Sequence, residues 1–346
     1  MTMKKVLTGI LSLFTLAPCT ASGDGELRIA RQGSFAVGGT IVRDSLGRTF
    51  HGDHAYVFYQ QPVDARRLPL VFAHGVGQFS KTWETTPDGR EGFQNIFLRK
   101  GFSLYLVDQP RRGNAGRSTE EAVIKPAFDE EQWFNRFRLG HWPQFFDGVQ
   151  FSRDSTTLDQ FFRQMTPTIG TIDLDLYAEA YAALLDKTGP AVLVTHSQGG
   201  GVGWLAVPKT RNIRAIVAFE PGTNVPFPEG CMPDEGRVLT LSGKTEGVEV
   251  PMSVFMEFTK MPILVIFGDN LPDTDERPEL YEWTRRLRLM RLWAGMLNGK
   301  GGDVTVIHLP DAGLHGNTHF PMSDLNNTDV AELVCRWLAE KGLDAK

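Results

Sequence analysis

The sequence predicts an α/β fold built on a mostly parallel sheet with helices on both faces. Three observations carry this. From residue 69 onward, unbroken apolar runs alternate with longer helical or loop segments, the pattern of strands buried on both faces and joined by crossovers. Before that point, short apolar runs follow one another closely, as strands of antiparallel hairpins do. One run, Val192-Leu193-Val194-Thr195, ends abruptly in His196-Ser197-Gln198-Gly199-Gly200. That reads as a buried strand, a sharp turn with a serine at its tip, and a helix.

Composition bounds the class. With 41% hydrophobic and 22% charged residues over 346 positions, the chain has material for one large domain with insertions. A net charge of -5 and the lack of a basic block exclude a nucleic-acid partner. Lys4 and Lys5 precede a short apolar run, Val6 to Leu16, and Cys19-Thr20-Ala21 offers a cleavage site. Residues 1–21 are therefore expected to be a signal peptide, too short to span a bilayer. The mature chain is expected to be periplasmic or secreted, with no stable membrane insertion. A lipoprotein signal ending at Cys19 is the competing reading, and Pro18 argues against it. In an oxidising compartment the remaining pair, Cys231 and Cys335, is expected to bridge, two unpaired thiols being the alternative.

Taken in order, Leu27 to Ala30 and Ser34 to Val37 read as short strands. Thr40 to Val42, a turn at Asp44 to Gly47, and Ala55 to Tyr59, closed by Pro62, follow. The buried strands are Leu70 to Ala73, Ser103 to Val107, Ala191 to Val194, Ile213 to Phe219, Ile263 to Phe267 and Val304 to Ile307. Leu174, Tyr177, Tyr181, Leu184 and Leu185 mark an amphipathic helix before the Ser197 strand; Leu280, Trp283, Leu287 and Met290 mark another. Val330, Leu333, Val334, Trp337 and Leu338 mark a C-terminal helix, with Thr328 or Asp329 as its cap. Two stretches are too long for ordinary loops: about 112–170, rich in aromatics, and about 222–260, rich in Pro, Gly and charge. They are expected to form a cap on one domain spanning 22–346, with Trp142 and Phe146 lining the substrate site. Packing against the sheet is the plainer role for some of these aromatics.

A serine nucleophile needs a base, an orienting acid and an oxyanion hole. Ser197 is the candidate nucleophile, with Thr195 and Gly199 at the positions where the turn requires small residues. The backbone N–H groups of Gln198 and Val76 are the candidate oxyanion donors, Val76 following His74-Gly75 after the strand at Leu70 to Ala73. His74 is expected to shape that loop, and His196 to fill space beside the nucleophile. The base lies after the last strand, where His319 is preferred over His315. The acid is Glu220, at the end of the strand after Ser197, in preference to Asp269 and Asp273 near the next strand's end.

Together, His74-Gly75 after a strand, Asp108-Gln-Pro-Arg-Arg-Gly, Thr195-His-Ser-Gln-Gly, Phe219-Glu-Pro and Gly316-Asn-Thr-His resemble the α/β-hydrolase fold. More narrowly, they resemble bacterial secreted esterases whose acid is a glutamate after strand six, and Lys81 to Gly92 resembles that group too. The resemblance spans roughly residues 25–340. It implies an eight-stranded, mostly parallel sheet with a cap formed by insertions. It implies hydrolysis of a small-molecule ester through an acyl-enzyme, with no metal and no cofactor. One member of that group has vicinal cysteines in the oxyanion loop; this chain has Val76-Gly77 there, so no disulfide is expected beside the site. A serine at the elbow excludes the aspartyl-enzyme route of dehalogenases and epoxide hydrolases. A lactonase or polyester hydrolase with the same triad, and a non-catalytic binding protein on the same scaffold, are the alternatives. The oligomeric state is not legible.

Overall fold

A computed structural model describes residues 25–240 and 243–346; the expected signal peptide, 1–21, lies outside the described residues. Eight strands form the main sheet: β1 (Ile29–Val37), β2 (Ala55–Pro62), β3 (Leu70–Ala73), β4 (Leu104–Asp108), β5 (Ala191–His196), β6 (Ile213–Phe219), β7 (Pro262–Phe267) and β8 (Asp303–His308). Their spatial order is β1-β2-β4-β3-β5-β6-β7-β8. The β1–β2 and β2–β4 pairs are antiparallel, and every later pair is parallel. The two segments expected at Leu27 to Ala30 and Ser34 to Val37 are one strand, β1, with a register shift between Ile29 and Arg31. Thr40–Arg43 pairs instead with Thr49–Gly52 in a hairpin off the main sheet, which leaves Ile41 and Val42 exposed.

Seven helices matter here: α1 (Phe93–Arg99), α2 (Glu130–Arg136), α3 (Ser155–Arg163), α4 (Leu174–Thr188), α5 (Gln198–Ala206), α6 (Pro278–Asn298) and α7 (Asn327–Glu340). Successive side chains of a strand point to opposite faces, and the core divides accordingly. Val71, Leu193, Ile216 and Ile263 pack with α4, α5 and α6. Leu70, Val192, Val217 and Leu264 pack with α1 and α7 on the other face. Both faces of the central strands are dry, which is why those strands read as unbroken apolar runs. The Asp173 carboxylate caps α4 by accepting from Leu176 N–H at 3.0 Å. The C-terminal helix starts at Asn327, earlier than Thr328 or Asp329 would place it. Its N-cap Asn326 makes no side-chain cap bond and instead exchanges hydrogen bonds with Asn317, at 2.6 and 3.1 Å.

The two long stretches behave differently. In the first, Phe134, Phe137, Phe151 and Phe161 are buried against the α1–α7 face, so about half its aromatics are core. In the second, Val225–Pro228 pairs in parallel with Gly247–Val250. Val225, Phe227, Phe255 and Phe258 pack it onto the α4–α6 face. The expected Cys231–Cys335 bridge is absent. Cys231 is exposed beside Met232, which packs on the α4–α6 face, while Cys335 of α7 is buried in the core of the other face. The sheet lies between them, and a bridge needs Cα atoms within about 7 Å. Among the described residues no helix is long and apolar enough to cross a membrane.

Candidate active site

Strand β5 ends at His196 and α5 begins at Gln198, leaving Ser197 alone in the turn with φ 53° and ψ -123°. Such a backbone costs on the order of 1–3 kcal/mol for a non-glycine residue and persists only where its surroundings impose it. Three hydrogen bonds do so here. Ser197 N–H donates to Phe219 O at 3.0 Å, and Ser197 O accepts from Gly200 at 2.8 Å and Gly222 at 2.7 Å. The chain crosses so closely that a Cβ on Gly199 would lie 2.7 Å from the carbonyl oxygens of Ala73 and His74. One on Gly75 would lie 2.9 Å from Ser197 Cβ. The small-residue pattern around the serine thus follows from backbone contact with the loop after β3.

That loop is fixed from beneath. Gln109 N–H donates to His74 Nε2 at 3.1 Å, so the His74 proton sits on Nδ1 and is donated to Gly75 O at 2.9 Å. Arg112 also donates to Gly75 O, at 3.1 Å. Burial, helped by the nearby Arg112 charge, holds His74 down at about 4, so it is neutral. His74 has the loop-shaping place expected of it. Val76 and Gln198 border one cavity with Ser197. Gln198 is the first residue of α5, where backbone N–H groups lack an intrahelical acceptor.

Glu220 directly follows β6 and, like Ser197, has a positive φ, 43°. Its Oε2 lies 2.5 Å from His319 Nδ1. Its Oε1 accepts from Gly268 N–H at 2.6 Å and from the Arg138 guanidinium. All three side chains are fully buried. Burial alone would raise the Glu220 carboxyl, but the Arg138 charge and the His319 hydrogen bond hold it at about 2. His319 is pushed down to about 4 by burial, against the pull of Glu220. The pair is therefore carboxylate and neutral imidazole, with the proton on Nδ1. His319 Nε2 has no hydrogen-bond partner among the described residues.

Ser197 lines the same cavity as Phe137 and Trp283, the two rings that flank His319. Phe137 stacks on the imidazole at 4.9 Å, and Trp283 lies tilted against it at 4.1 Å. The rival residues stand elsewhere. Asp269 accepts from Asn270 N–H and Gly316 N–H, both at 2.7 Å, which makes it a turn-forming residue. His315 is 70% exposed, its Nδ1 3.7 Å from Asp269. Asp273 is on the surface.

Several residues of the site carry no sequence signal. Arg138, inside the aromatic insertion, clamps Glu220 and also donates through Nε to Asp269 O at 2.8 Å. His196 does more than fill space: its ring Nε2 donates to His319 O at 2.8 Å, tying the His319 backbone to the elbow strand. Asp324 holds the same loop from the other side. It accepts from Thr318 N–H at 2.8 Å, Thr318 Oγ1 at 2.7 Å and Asn317 Nδ2 at 3.0 Å. Its burial raises it to about 7 despite those bonds.

The cavity over Ser197 holds about 230 Å³, smaller than a typical drug-sized site. Trp133, Phe137, Ile172, Leu174 and Trp283 give it apolar walls. Trp142 and Phe146, expected there, lie one layer out. Trp142 packs on Phe134 and Phe162, and Phe146 on His141. The reason is geometric: α2 presents Trp133 and Arg136 to the cavity, whereas Trp142, in the hairpin that follows, is held edge-on against the Phe134 ring.

Comparison with known proteins follows this geometry. Residues 70–340 match the model of the alpha/beta hydrolase family. A solved bacterial protein described as "a Novel Bacterial Esterase" is 30% identical, with a TM-score of 0.73 over 92% of this chain and 98% of that one. A fungal protein (strain ATCC 74256) named "Probable secreted lipase phiG" is 28% identical over 300 residues, 79% of this chain and 82% of the relative. The chain belongs to the alpha/beta hydrolase family.

Proposed function

We propose that the protein is an exported serine carboxylesterase working through a Ser197–His319–Glu220 triad. The observation that carries the reading is the buried 2.5 Å contact between Glu220 and His319 Nδ1, made beside a strained serine turn. The similarity to proteins named esterase and secreted lipase supports it.

In this reading His319 Nε2 takes the proton from Ser197 Oγ as that oxygen attacks the ester carbonyl carbon. The carbonyl electrons move onto oxygen, and the N–H groups of Val76 and Gln198 receive the resulting oxyanion. The imidazolium is stabilised by ionised Glu220 and returns its proton to the departing alkoxide, leaving an acyl-serine. Water, deprotonated by the same imidazole, then releases the acid and restores Ser197. Glu220 stays ionised throughout because Arg138 holds its carboxyl low. Residues 1–21 would act as the export signal and be removed, with 22–346 as one domain whose insertions cap the site. N-terminal sequencing of protein recovered from periplasm or medium tests that part; a retained Met1 rejects it.

A serine-directed fluorophosphonate followed by peptide mapping tests the chemistry. The adduct is expected on Ser197, and Ser197→Ala should remove labelling and lower turnover by orders of magnitude. A screen of graded p-nitrophenyl esters, lactones and polyester films separates the esterase from the lactonase and polymer readings. An adduct on another residue, or no turnover of any of them, rejects the proposal.

A further inference from the structure

The charged part of the cavity wall has no task in the mechanism above. Arg136, Lys244 and Arg286 all border the cavity that holds Ser197, and no carboxylate borders it with them. Two of these cations are fixed from behind. Arg136 donates to Glu282 Oε1 at 2.7 Å, and Arg286 reaches the same oxygen at 2.6 Å. Arg286 Nε also donates to Glu246 Oε2 at 2.9 Å. Glu282 and Glu246 are 0% and 1% exposed. The cavity therefore meets guanidinium groups, with their counter-charges behind them.

Lys244 is different. It is exposed at the rim, and no carboxylate stands within ion-pairing distance of it among the described residues. Lys244 also borders the adjoining depression together with Asp173 and Asp175, of which the first caps α4 and the second faces Lys209 at 3.4 Å. Three cations against two buried carboxylates leave the group with an excess positive charge. A cleft with low-dielectric aromatic walls focuses such a field on whatever enters it.

We infer that this wall is an anion subsite, and that the preferred substrate is a small ester carrying a free carboxylate at the end remote from the scissile bond. The inference rests on the proposed esterase reading and refines it. The acyl-enzyme chemistry at Ser197 is unchanged. The carboxylate sits against Lys244 with Arg136 and Arg286 behind it, while Trp133, Phe137 and Trp283 cover the connecting carbons. The small cavity volume excludes long acyl chains from lying wholly inside.

The test compares monoethyl adipate with ethyl hexanoate, which replaces its free carboxylate by a methyl group, in a pH-stat at pH 7.5. At low salt, kcat/KM is expected to favour monoethyl adipate by roughly tenfold, and the advantage should shrink at about 0.5 M salt as screening sets in. Lys244→Gln should reduce the adipate-to-hexanoate ratio, and Lys244→Glu should reduce it further, below one. A wild-type ratio at or below one, or a ratio that ignores salt and Lys244→Glu, overturns the inference while hydrolysis of ethyl hexanoate keeps the esterase reading. Hydrolysis of neither ester, with no fluorophosphonate adduct on Ser197, overturns both.

Discussion

Replacing Arg138 by methionine should move the acid limb of the pH–rate profile to higher pH. The guanidinium touches Glu220 Oε1, and the other carboxylate oxygen is 2.5 Å from His319 Nδ1. In the proposed mechanism His319 can act as base only while neutral, so the acid limb follows the imidazole, held at about 4 in the native protein. Arg138 lowers both His319 and Glu220. Without it both rise, and the neutral-base, ionised-acid state is reached only at higher pH. A unit charge about 6 Å away in an effective dielectric of about 20 is worth about 3 kcal/mol, or about 2 pKa units. A limb displaced upward by about 1–2 units in kcat/KM is therefore expected. Breaking the buried pair also costs about 3–5 kcal/mol of stability, so folding is checked by circular dichroism before kinetics. Arg138→Lys supplies the control: it keeps the charge but loses the 2.8 Å Nε bond to Asp269 O. Its limb should stay near the native position while its Tm falls. An Arg138→Met variant that is folded and has the native limb would refute the reasoning.

The remaining predictions concern the same surroundings. Glu220→Gln should lower kcat by on the order of 10²–10⁴, whereas Asp269→Asn, which changes only a turn, should keep most activity; the opposite ranking would move the acid to the strand β7 loop. Asp324 has a native value of about 7, above the ordinary 3.8, so its contribution to stability is full at low pH and is lost as pH rises through about 7. Relative to Asp324→Asn, wild-type Tm should therefore be highest near pH 4 and fall toward pH 8; a pH-independent difference would reject this. Trp133→Ala, at the cavity wall, should change preference among acyl chain lengths, while Trp142→Ala, packed on Phe134 and Phe162, should chiefly lower Tm.

Much of the architecture is local chemistry and so is legible in the chain. Periodicity reveals which strands are buried on both faces, because the apolar side chains pointing either way from the middle of β5 and β6 pack into one or the other of the two cores. The elbow is legible for the same kind of reason. Its run of small residues stands out in the sequence even though the backbone they make room for, at Ala73 and His74, is more than a hundred positions away, and the order of serine, glutamate and histidine follows the order of strands. Contacts that join distant segments leave no such trace. Arg138 and Glu220 are separated by 82 positions, and nothing around Arg138 distinguishes it from the other arginines of the insertion. His196 and Asp324 bond to backbone and side chains that only the folded His319 loop assembles. Cys231 and Cys335 were compatible with a bridge until the sheet came between them. Which aromatics line the cavity was likewise decided by tertiary structure. One turn of α2 turns Trp133 inward, the next hairpin turns Trp142 outward, and both are equally apolar in the sequence.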